Sequence, residues 1–338
     1  MKNILVVNVN WLGDVIFSIP VFKAIKKRYP DSKVCCLAVP RVKDVLERCA
    51  SIDEVIVFDE RQKHWTPWGK LKLVSGIQKR KFDAAFLLHR SMTRALLISM
   101  AGIPIRVGFD SEKQNAFLTH RIKSDQTIRH RSDEYLQLIE GFGAPVIDRV
   151  CQLEVSSEMM DAVNLKLLHA NIEQKDRLVI INPGGNWDLK RWPAESFSDL
   201  VRRISKEFGW KVLISGGPGD LALANQIAFE SQVSPVVWAG QTTLGELLAL
   251  YKRANIVISN DSGPSHVASS VGTDVIALFG PTRPEVTAPR GAGRVDVIFK
   301  EVGCNKAPCY HLSCSCNHCM QAISVDDVLQ VIKKKSNP

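Results

Sequence analysis

Short apolar runs of strand length alternate with segments of helical period along the whole chain. In the first half these runs predict strands at residues 3–9, 33–39, 54–58, 82–88 and 105–108. In the second half they predict strands at residues 178–182, 211–215, 236–238, 256–259 and 275–279. Strands that alternate with helices are typical of βαβ units, so the pattern predicts parallel sheets and an α/β fold.

Helical periodicity fills the intervals between these strands. It predicts helices at residues 15–28, 194–208, 220–230, 243–253 and 325–335. The polar stretch 154–175 separates the two halves and is expected to hold one more helix. We therefore expect an N-terminal domain over 1–165, a C-terminal domain over 175–322 and a final helix over 323–338, with a cleft between two Rossmann-like domains.

Composition limits the class of protein. The 338 residues are 45% apolar and 23% charged, which is ordinary for a soluble globular protein. The apolar stretch 84–104 is broken by His89, Arg90 and Arg94, so we expect no membrane-spanning helix. The first strand begins at residue 3 with no signal peptide before it, from which we expect a cytoplasmic protein.

The formal net charge of +9 fits an anionic substrate, an anionic membrane surface or nucleic acid, and by itself selects none of them. A charge that only keeps the protein soluble is the other interpretation. The sequence shows no recognisable nucleic-acid-binding module and no basic stripe interleaved with aromatic residues, so we expect no nucleic-acid partner.

Five of the nine cysteines lie in one short segment near the end of the chain. They are Cys304, Cys309, Cys314, Cys316 and Cys319, with His311 and His318 among them. In a chain without a leader, cysteines are expected to be thiols rather than disulfides. So many Cys and His residues in one segment suggest a structural zinc site, but only one Cys-x2-Cys pair is present. A loop of free thiols is therefore favoured, and no metal is assigned.

A polar turn that opens directly into a helix follows the apolar run at 256–259. Pro264 suits the first helical position, where a missing N–H costs nothing. The first-turn amides therefore point into the crevice at the carboxyl end of a strand, which suits a phosphate group. The donor-site residues expected here are Asp261, Ser262, Gly263, Pro264, Ser265 and His266. For His266, packing within the helix interface is favoured over catalysis.

The loop after the first strand lacks the three-glycine dinucleotide fingerprint, which makes an ordinary nicotinamide or flavin site there improbable. Gly13 permits another group to approach the backbone closely. Asp14 stands at the start of the following helix, and two roles are open to it. It is either a helix N-cap or a general base that activates a hydroxyl group across the cleft.

Further polar loops follow strands of the second half. Gly184 and Gly185 expose backbone amides, and Lys190 or Arg191 can neutralise a departing diphosphate. Asp220 ends a weak Gly-x-Gly turn and is expected to cap its helix, to contact a ribose hydroxyl, or to do both. Thr243, at the start of the helix at 243–253, is also assigned to the donor site.

Several enzyme classes are excluded by missing motifs. No Asp-x-Asp motif occurs, which disfavours a diphosphate held through a bound metal, and we expect no obligatory metal or cofactor. No Gly-x-Ser-x-Gly elbow or Walker loop is present, which removes common hydrolase and kinase interpretations.

Taken in order, five motifs resemble the ADP-heptose:lipopolysaccharide heptosyltransferases, glycosyltransferase family 9. The motifs are Gly13-Asp14-Val15 with Pro20, Pro183-Gly184-Gly185 leading to Lys190-Arg191-Trp192-Pro193, Asn260 to His266, Phe279-Gly280-Pro281-Thr282, and Cys319-Met320 before Ile323. The resemblance covers nearly the whole chain. It implies a GT-B fold in which the C-terminal domain holds the ADP-sugar and the N-terminal domain holds the acceptor.

The resemblance also implies a mechanism, namely inverting transfer of a heptose from ADP-heptose to a lipopolysaccharide inner-core acceptor. Asp14 would deprotonate the acceptor, Lys190 would stabilise the leaving diphosphate, and Gly263 with its neighbours would bind phosphate. Another nucleotide sugar remains an alternative donor, and a non-catalytic nucleotide-sugar-binding protein is disfavoured by the presence of both Asp14 and Lys190.

The acceptor implied by the resemblance is an acidic phosphorylated glycolipid at the inner face of the membrane. Basic residues of the first half, at 79–81 and at Arg121, Lys123, Arg129 and Arg131, are candidates to meet it. We therefore expect a monomeric cytoplasmic enzyme that is peripheral to the inner membrane.

Overall fold

The protein contains two six-stranded β-sheets, and neighbouring strands in each sheet run parallel. The computed structural model describes residues 1–125, 127, 130–146, 148–304, 309, 314 and 316–336. The chain divides into two units, Met1–Glu154 and Val155–Pro338, with one sheet in each. The α/β class predicted from the sequence is confirmed.

The N-terminal unit alternates strands and helices as the apolar pattern predicted. Its strands are β1 (Asn3–Val7), β2 (Lys33–Ala38), β3 (Glu54–Val57), β4 (Ala84–Leu87), β5 (Ile105–Phe109) and β6 (His120–Ile122). Its helices are α1 (Leu12–Phe17), α2 (Ile19–Arg28), α3 (Lys43–Leu46), α4 (Pro67–Gln78), α5 (Met92–Met100) and α6 (Arg131–Gly141).

The C-terminal unit repeats this alternation. Its strands are β7 (Leu178–Asn182), β8 (Lys211–Ile214), β9 (Val236–Val237), β10 (Ile256–Asn260), β11 (Asp274–Phe279) and β12 (Val295–Phe299). Its helices are α7 (Ser157–His169), α8 (Ala194–Arg203), α9 (Leu221–Glu230), α10 (Leu244–Arg253), α11 (Gly263–Ser270), α12 (Pro284–Thr287), α13 (His318–Gln321) and α14 (Val325–Ser336).

Both sheets have the doubly wound order of a Rossmann-like fold. The strands run β3-β2-β1-β4-β5-β6 in the first sheet and β12-β11-β10-β7-β8-β9 in the second. In each sheet the order reverses next to the first strand, between β1 and β4 and between β7 and β10. At such a reversal the flanking loops diverge and leave a crevice at the carboxyl ends of the strands.

The central strands are buried on both faces, which explains their continuous apolar runs. Residues 4–7 of β1 and 178–181 of β7 have no exposed surface. Two of the four edge strands, β6 and β12, were not predicted. β6 has three residues, two of them exposed, and β12 alternates Val295 with Asp296, so neither carries the long apolar run of a central strand.

The predicted helix at 15–28 is in fact two helices, α1 and α2, which are separated at Ser18. Pro20, in the first turn of α2, has no N–H to donate to the carbonyl of Ile16, so a continuous helix would lose that hydrogen bond. Ser18 instead donates from its hydroxyl group to the carbonyl of Val15 at 2.7 Å.

The boundary between the units lies earlier than the domain limits expected from the sequence. Helix α7 packs against α10, so residues 155–165 belong to the second unit. Helix α14 packs against α8 and is part of the same unit. Among the described helices, none combines the length and the apolar content that crossing a bilayer requires.

Candidate active site

Asn260, the last residue of β10, joins the loops on the two sides of the crevice in the second sheet. Its side chain has no exposed surface. The Nδ2 atom donates to the carbonyls of Pro183 at 2.8 Å and Gly184 at 3.2 Å, and Oδ1 accepts from the backbone N–H of Trp192 at 3.1 Å. Asn260 therefore holds both ends of the loop that follows β7 against the end of β10.

Lys190 is held by a buried carboxylate at the carboxyl end of this sheet. Its Nζ lies 2.6 Å from Oδ2 of Asp261, and Thr282 donates from Oγ1 to the same oxygen at 2.7 Å. The Asp261 side chain is 4% exposed and that of Lys190 is 19% exposed. Since an ammonium group has three donors, this arrangement fixes a partly accessible cation in place.

This pairing changes the role expected of Asp261. The sequence assigned it to the donor site together with its neighbours, but its carboxylate contacts a cation and a hydroxyl group. A buried carboxylate would repel a phosphate unless it is neutralised. Asp261 therefore orients Lys190, and the positive end of this pair is the part suited to an anionic group.

The turn after β10 leads into α11 as expected, with the helix beginning one residue before the predicted position. Gly263 is its first residue and Pro264 its second, which still lies in the turn where a missing N–H costs nothing. Ser262 at the N-cap makes no side-chain bond to the first-turn amides. Ser265 and His266 are buried, at 0% and 4% exposure, which agrees with the packing interpretation of His266.

Gly184 is required by the close approach of Asp220. A Cβ atom at Gly184 would lie 2.6 Å from the Asp220 carboxylate, and one at Gly216 would lie 2.8 Å from the Asp220 Cβ. The carboxylate accepts from the backbone N–H of Gly217 at 2.9 Å. Asp220 therefore closes the short turn before α9, but at the N-cap of α9 its side chain makes no capping bond, so the predicted helix capping is wrong. Contact with a ribose stays a prediction.

Two other assigned residues are engaged within the protein. Arg191 donates to the carbonyl of Gly185 from Nε at 3.1 Å and from Nη2 at 2.8 Å, so it stabilises the glycine loop. Thr243 accepts from the backbone N–H of Glu246 at 3.1 Å, and Glu246 accepts from the N–H of Thr243 at 2.7 Å. Thr243 is therefore half of a capping box at α10, which accounts for it without a ligand.

Asp14 lies in the crevice region of the first sheet, in the loop-and-helix segment after β1. The capping interpretation is wrong because Trp11 occupies the N-cap and Asp14 is the third residue of α1. The side chain is 31% exposed, and its Oδ1 lies 3.8 Å from Nε of Arg131. Gly13, the residue before it, is the second residue of α1.

The phenol of Tyr135, on α6, lies close enough to Asp14 to interact electrostatically with its carboxylate. Burial raises the pKa of Tyr135 well above its ordinary value, and the charge of Asp14 raises it further. The phenol therefore keeps its proton at neutral pH and remains a donor. Tyr135 and Arg131 are therefore both neighbours of a carboxylate that is partly exposed to solvent.

A buried arginine, Arg94, connects the loop after β1 with Glu60 at the carboxyl end of the first sheet. Arg94 donates from Nη1 to the carbonyl of Asn8 at 2.6 Å and from Nη2 to Oδ1 of Asn10 at 2.7 Å. Its guanidinium lies 3.1 Å from Oε2 of Glu60. Burial and the Arg94 charge both lower the pKa of His89, which follows β4, so His89 is neutral at pH 7.

The sequence did not single out Tyr135, did not pair Arg131 with Asp14, and gave Thr282 no role beyond its place in a family motif. Tyr135 has the period of a buried helix position, so its sequence signal is that of an ordinary core residue. The contacts of these residues join positions far apart in the chain, which no local pattern reports.

The cysteine segment is only partly described. His311 lies outside the described residues, while Cys304, Cys314 and Cys316 are exposed thiols and Cys309 is a buried one. Among the described residues no group of three or more His, Cys, Asp or Glu side chains could hold a metal ion. Arg129, one of the predicted basic contacts, also lies outside the described residues.

Comparison with known proteins gives matches over most of the chain. The family described as glycosyltransferase family 9 (heptosyltransferase) matches residues 70–319. Lipopolysaccharide heptosyltransferase 2 of Salmonella typhimurium is 25% identical over 305 residues, which cover 85% of each chain.

Solved structures agree with this match. The structure of a family 9 glycosyl transferase from Veillonella parvula has a TM-score of 0.86 at 26% identity, covering 98% of this chain and 96% of that one. The E. coli ADP-heptose lps heptosyltransferase II has a TM-score of 0.82 at 24% identity, covering 99% and 98%. The GT-B fold expected from the motifs is thereby confirmed.

Proposed function

The chain belongs to glycosyltransferase family 9, the heptosyltransferases, and we propose that it transfers a heptose from ADP-heptose to a lipopolysaccharide inner-core acceptor. The observation that carries the proposal is the fixed Lys190–Asp261 pair beside the start of α11. The relatives that it resembles bear the names of lipopolysaccharide heptosyltransferases.

In the proposed donor site the diphosphate binds at the crevice between β7 and β10. The positive end of the α11 dipole favours an anionic group here, and Lys190 supplies a full positive charge. When the bond between the sugar and the diphosphate breaks, negative charge develops on ADP. A cation fixed in advance stabilises that charge without reorganising at the moment of reaction.

In the proposed mechanism an acceptor hydroxyl attacks the anomeric carbon as the bond to the ADP oxygen breaks. The acceptor oxygen loses its proton to Asp14, and ADP leaves with the electron pair of the broken bond. One displacement inverts the configuration and requires a single carboxylate as base. ADP needs no proton if a cation meets it, so the two roles divide between Asp14 and Lys190.

We propose a location at the inner face of the membrane, since such an acceptor is carried by a lipid. The direct test is transfer from ADP-heptose to a defined inner-core acceptor, with the product identified by mass spectrometry. Absence of transfer to any inner-core acceptor, with transfer from a different nucleotide sugar, would replace the proposed reaction by another within the family.

Nucleotide binding gives an inexpensive first prediction. ADP at about a hundredfold excess over its Kd should add about 2.7 kcal/mol to the stability of the protein, which raises the Tm by several degrees. UDP and GDP at the same concentration should give smaller shifts. Thermal-shift titration measures all three, and a larger shift with UDP or GDP would contradict the proposed donor.

Removing the Tyr135 hydroxyl tests whether it positions the base. Tyr135→Phe should lower kcat by about tenfold, because a hydrogen bond to a charged group contributes about 1.5 kcal/mol or more. The KM for ADP-heptose should stay unchanged, since the residues of the proposed donor site belong to the other unit. The matched control is Tyr29→Phe, which removes a hydroxyl elsewhere in the same unit. Equal kcat values for the two variants would remove Tyr135 from the mechanism.

A further inference from the structure

Residues 61–81 form a basic and aromatic segment on the surface of the N-terminal unit. Its sequence contains no carboxylate, and its cations are Arg61, Lys63, Lys70, Lys72, Lys79, Arg80 and Lys81. Trp65 and Trp68 lie among them, at 70% and 81% exposure, so the expectation that no basic stretch is interleaved with aromatic residues is wrong for this segment. Large exposed indole rings inside a cationic segment are uncommon on a surface that meets only water.

The two tryptophans are held by an ordered scaffold. Thr66 caps α4 by accepting from the N–H of Gly69 at 3.1 Å. Gly69 packs so closely on the preceding turn that a Cβ atom there would lie 2.4 Å from the carbonyl oxygen of Lys63. Next to Trp65, His64 is 5% exposed, and its Nδ1 accepts from the N–H of Asp59 at 3.0 Å.

Helix α4 is apolar on two sides. Leu73, Val74 and Ile77 face inward and belong to the core that covers one face of the sheet. Trp68 and Leu71 are exposed, three residues apart, and therefore lie on a common outer side of α4.

The neighbouring helix α5 extends the exposed apolar surface. Met92, Leu96 and Met100 recur every four residues and are 54%, 38% and 48% exposed, so they form one outward stripe. Helix α5 packs beside α4 and buries its inner residues in the same core, so the outer sides of both helices open on the same face of the unit.

We propose that the α4–α5 face, formed by residues 61–81 and the α5 stripe, docks onto the surface of an anionic bilayer. This rests on the proposed function, because a lipid-borne acceptor requires the enzyme at a membrane. Indole rings and apolar side chains enter the interfacial layer, while the flanking cations meet anionic headgroups. Arg80 is already paired with Glu54 at 2.6 Å, so the exposed Lys63 and Lys72 supply the contact charge on the side of the tryptophans.

The test measures partition of the full-length protein onto vesicles without acceptor, made of equal parts of phosphatidylcholine and phosphatidylglycerol. Sedimentation should show that Trp65→Ala combined with Trp68→Ala weakens partition about tenfold or more. Lys72→Glu should weaken it by about 25-fold, since the substitution changes the charge by two units and each unit contributes about fivefold. High salt and pure phosphatidylcholine vesicles should both reduce binding.

Matched controls come from the C-terminal unit. Phe229→Ala removes an aromatic side chain that is 87% exposed, and Lys206→Glu reverses an exposed charge. Neither should change partition. The proposal is overturned if the double tryptophan variant binds like the unchanged protein, if Phe229→Ala loses as much binding, or if the face instead mediates self-association or nucleic-acid capture.

A second measurement separates this proposal from the proposed function. Transfer to a water-soluble, deacylated acceptor should be the same for the double tryptophan variant and the unchanged protein, because the substituted residues lie outside the proposed site. If the unchanged protein binds vesicles through this face but transfers no heptose, the proposed function fails and the docking surface stands. If transfer occurs but the double tryptophan variant binds vesicles as well as the unchanged protein does, the docking surface is refuted and the proposed function is not affected.

Discussion

Replacing Asp14 with asparagine is expected to lower the rate of heptosyl transfer by about 10²–10⁴-fold, the usual contribution of a general base. Asparagine keeps the shape of the side chain, so Tyr135 and Arg131 retain a neighbour of the same size. It cannot accept a proton from the acceptor hydroxyl at neutral pH. Binding of ADP should survive, because the proposed donor site lies in the other unit.

Rates are measured with ADP-heptose and a defined acceptor, and ADP affinity by calorimetry on the same preparation. Asp44→Asn is the matched control, because Asp44 is also a carboxylate in the first turn of a short helix of the same unit. It should leave the rate unchanged. A turnover of the Asp14→Asn variant close to that of the unchanged protein would remove Asp14 as the base.

Replacing Lys190 with alanine is expected to have two effects that must be separated. Turnover should fall by about 10²–10³-fold, because the developing charge on ADP loses its fixed cation. The fold should also lose about 3 kcal/mol, because the Asp261 side chain is 4% exposed and would keep its charge with the Thr282 hydroxyl group donating to it but no cation beside it. A loss of activity by this variant alone would therefore be ambiguous.

A double variant, Lys190→Ala with Asp261→Asn, resolves the ambiguity. It removes both charges, so chemical denaturation should show most of the lost stability restored while the transfer rate stays low. Recovery of the rate together with stability would show that Lys190 acts only in the fold, and would contradict its role toward the leaving group.

The control for this pair is Lys166→Ala. Lys166 also lies beside a carboxylate, with Nζ 3.5 Å from Oε1 of Glu246, and over an indole ring, 5.0 Å from the Trp238 centroid. Lys190 has the same surroundings, with the Trp187 centroid at 5.1 Å. Lys166 lies on α7 and contacts Trp238, which follows the edge strand β9, and β9 is three strands away from β10 in the sheet. Its loss should therefore leave transfer unchanged.

The central strands and the long helices were predictable because their signals are local. A strand buried on both faces must be apolar throughout, as in β7 and β10, and a helix start at the end of a strand shows its proline and glycine in the sequence. The edge strands β6 and β12 lack such a run. Pro20 is a cause of the break between α1 and α2 that can be seen in the sequence. The break was missed because the apolar positions keep a helical period on both sides of it.

The candidate site was predictable only in part. Gly184, Lys190 and the start of α11 follow strands whose carboxyl ends meet, so their loops belong together. The assignment of Thr243 had no comparable support, and the structure engages it in a capping box. The exposed apolar faces of α4 and α5 were also missed, because sequence alone predicts that an apolar residue in a helix is buried, and only the surrounding structure shows that it is not.

The sequence by itself determined two parallel doubly wound sheets and the loops that carry chemistry, because hydrophobic period and helix-start residues are properties of adjacent positions. Only the tertiary structure decided which charges meet. Lys190 and Asp261 lie 71 residues apart, and Tyr135 reaches Asp14 from another helix. The energy of such pairs depends on distance and burial, and both exist only after the chain has folded.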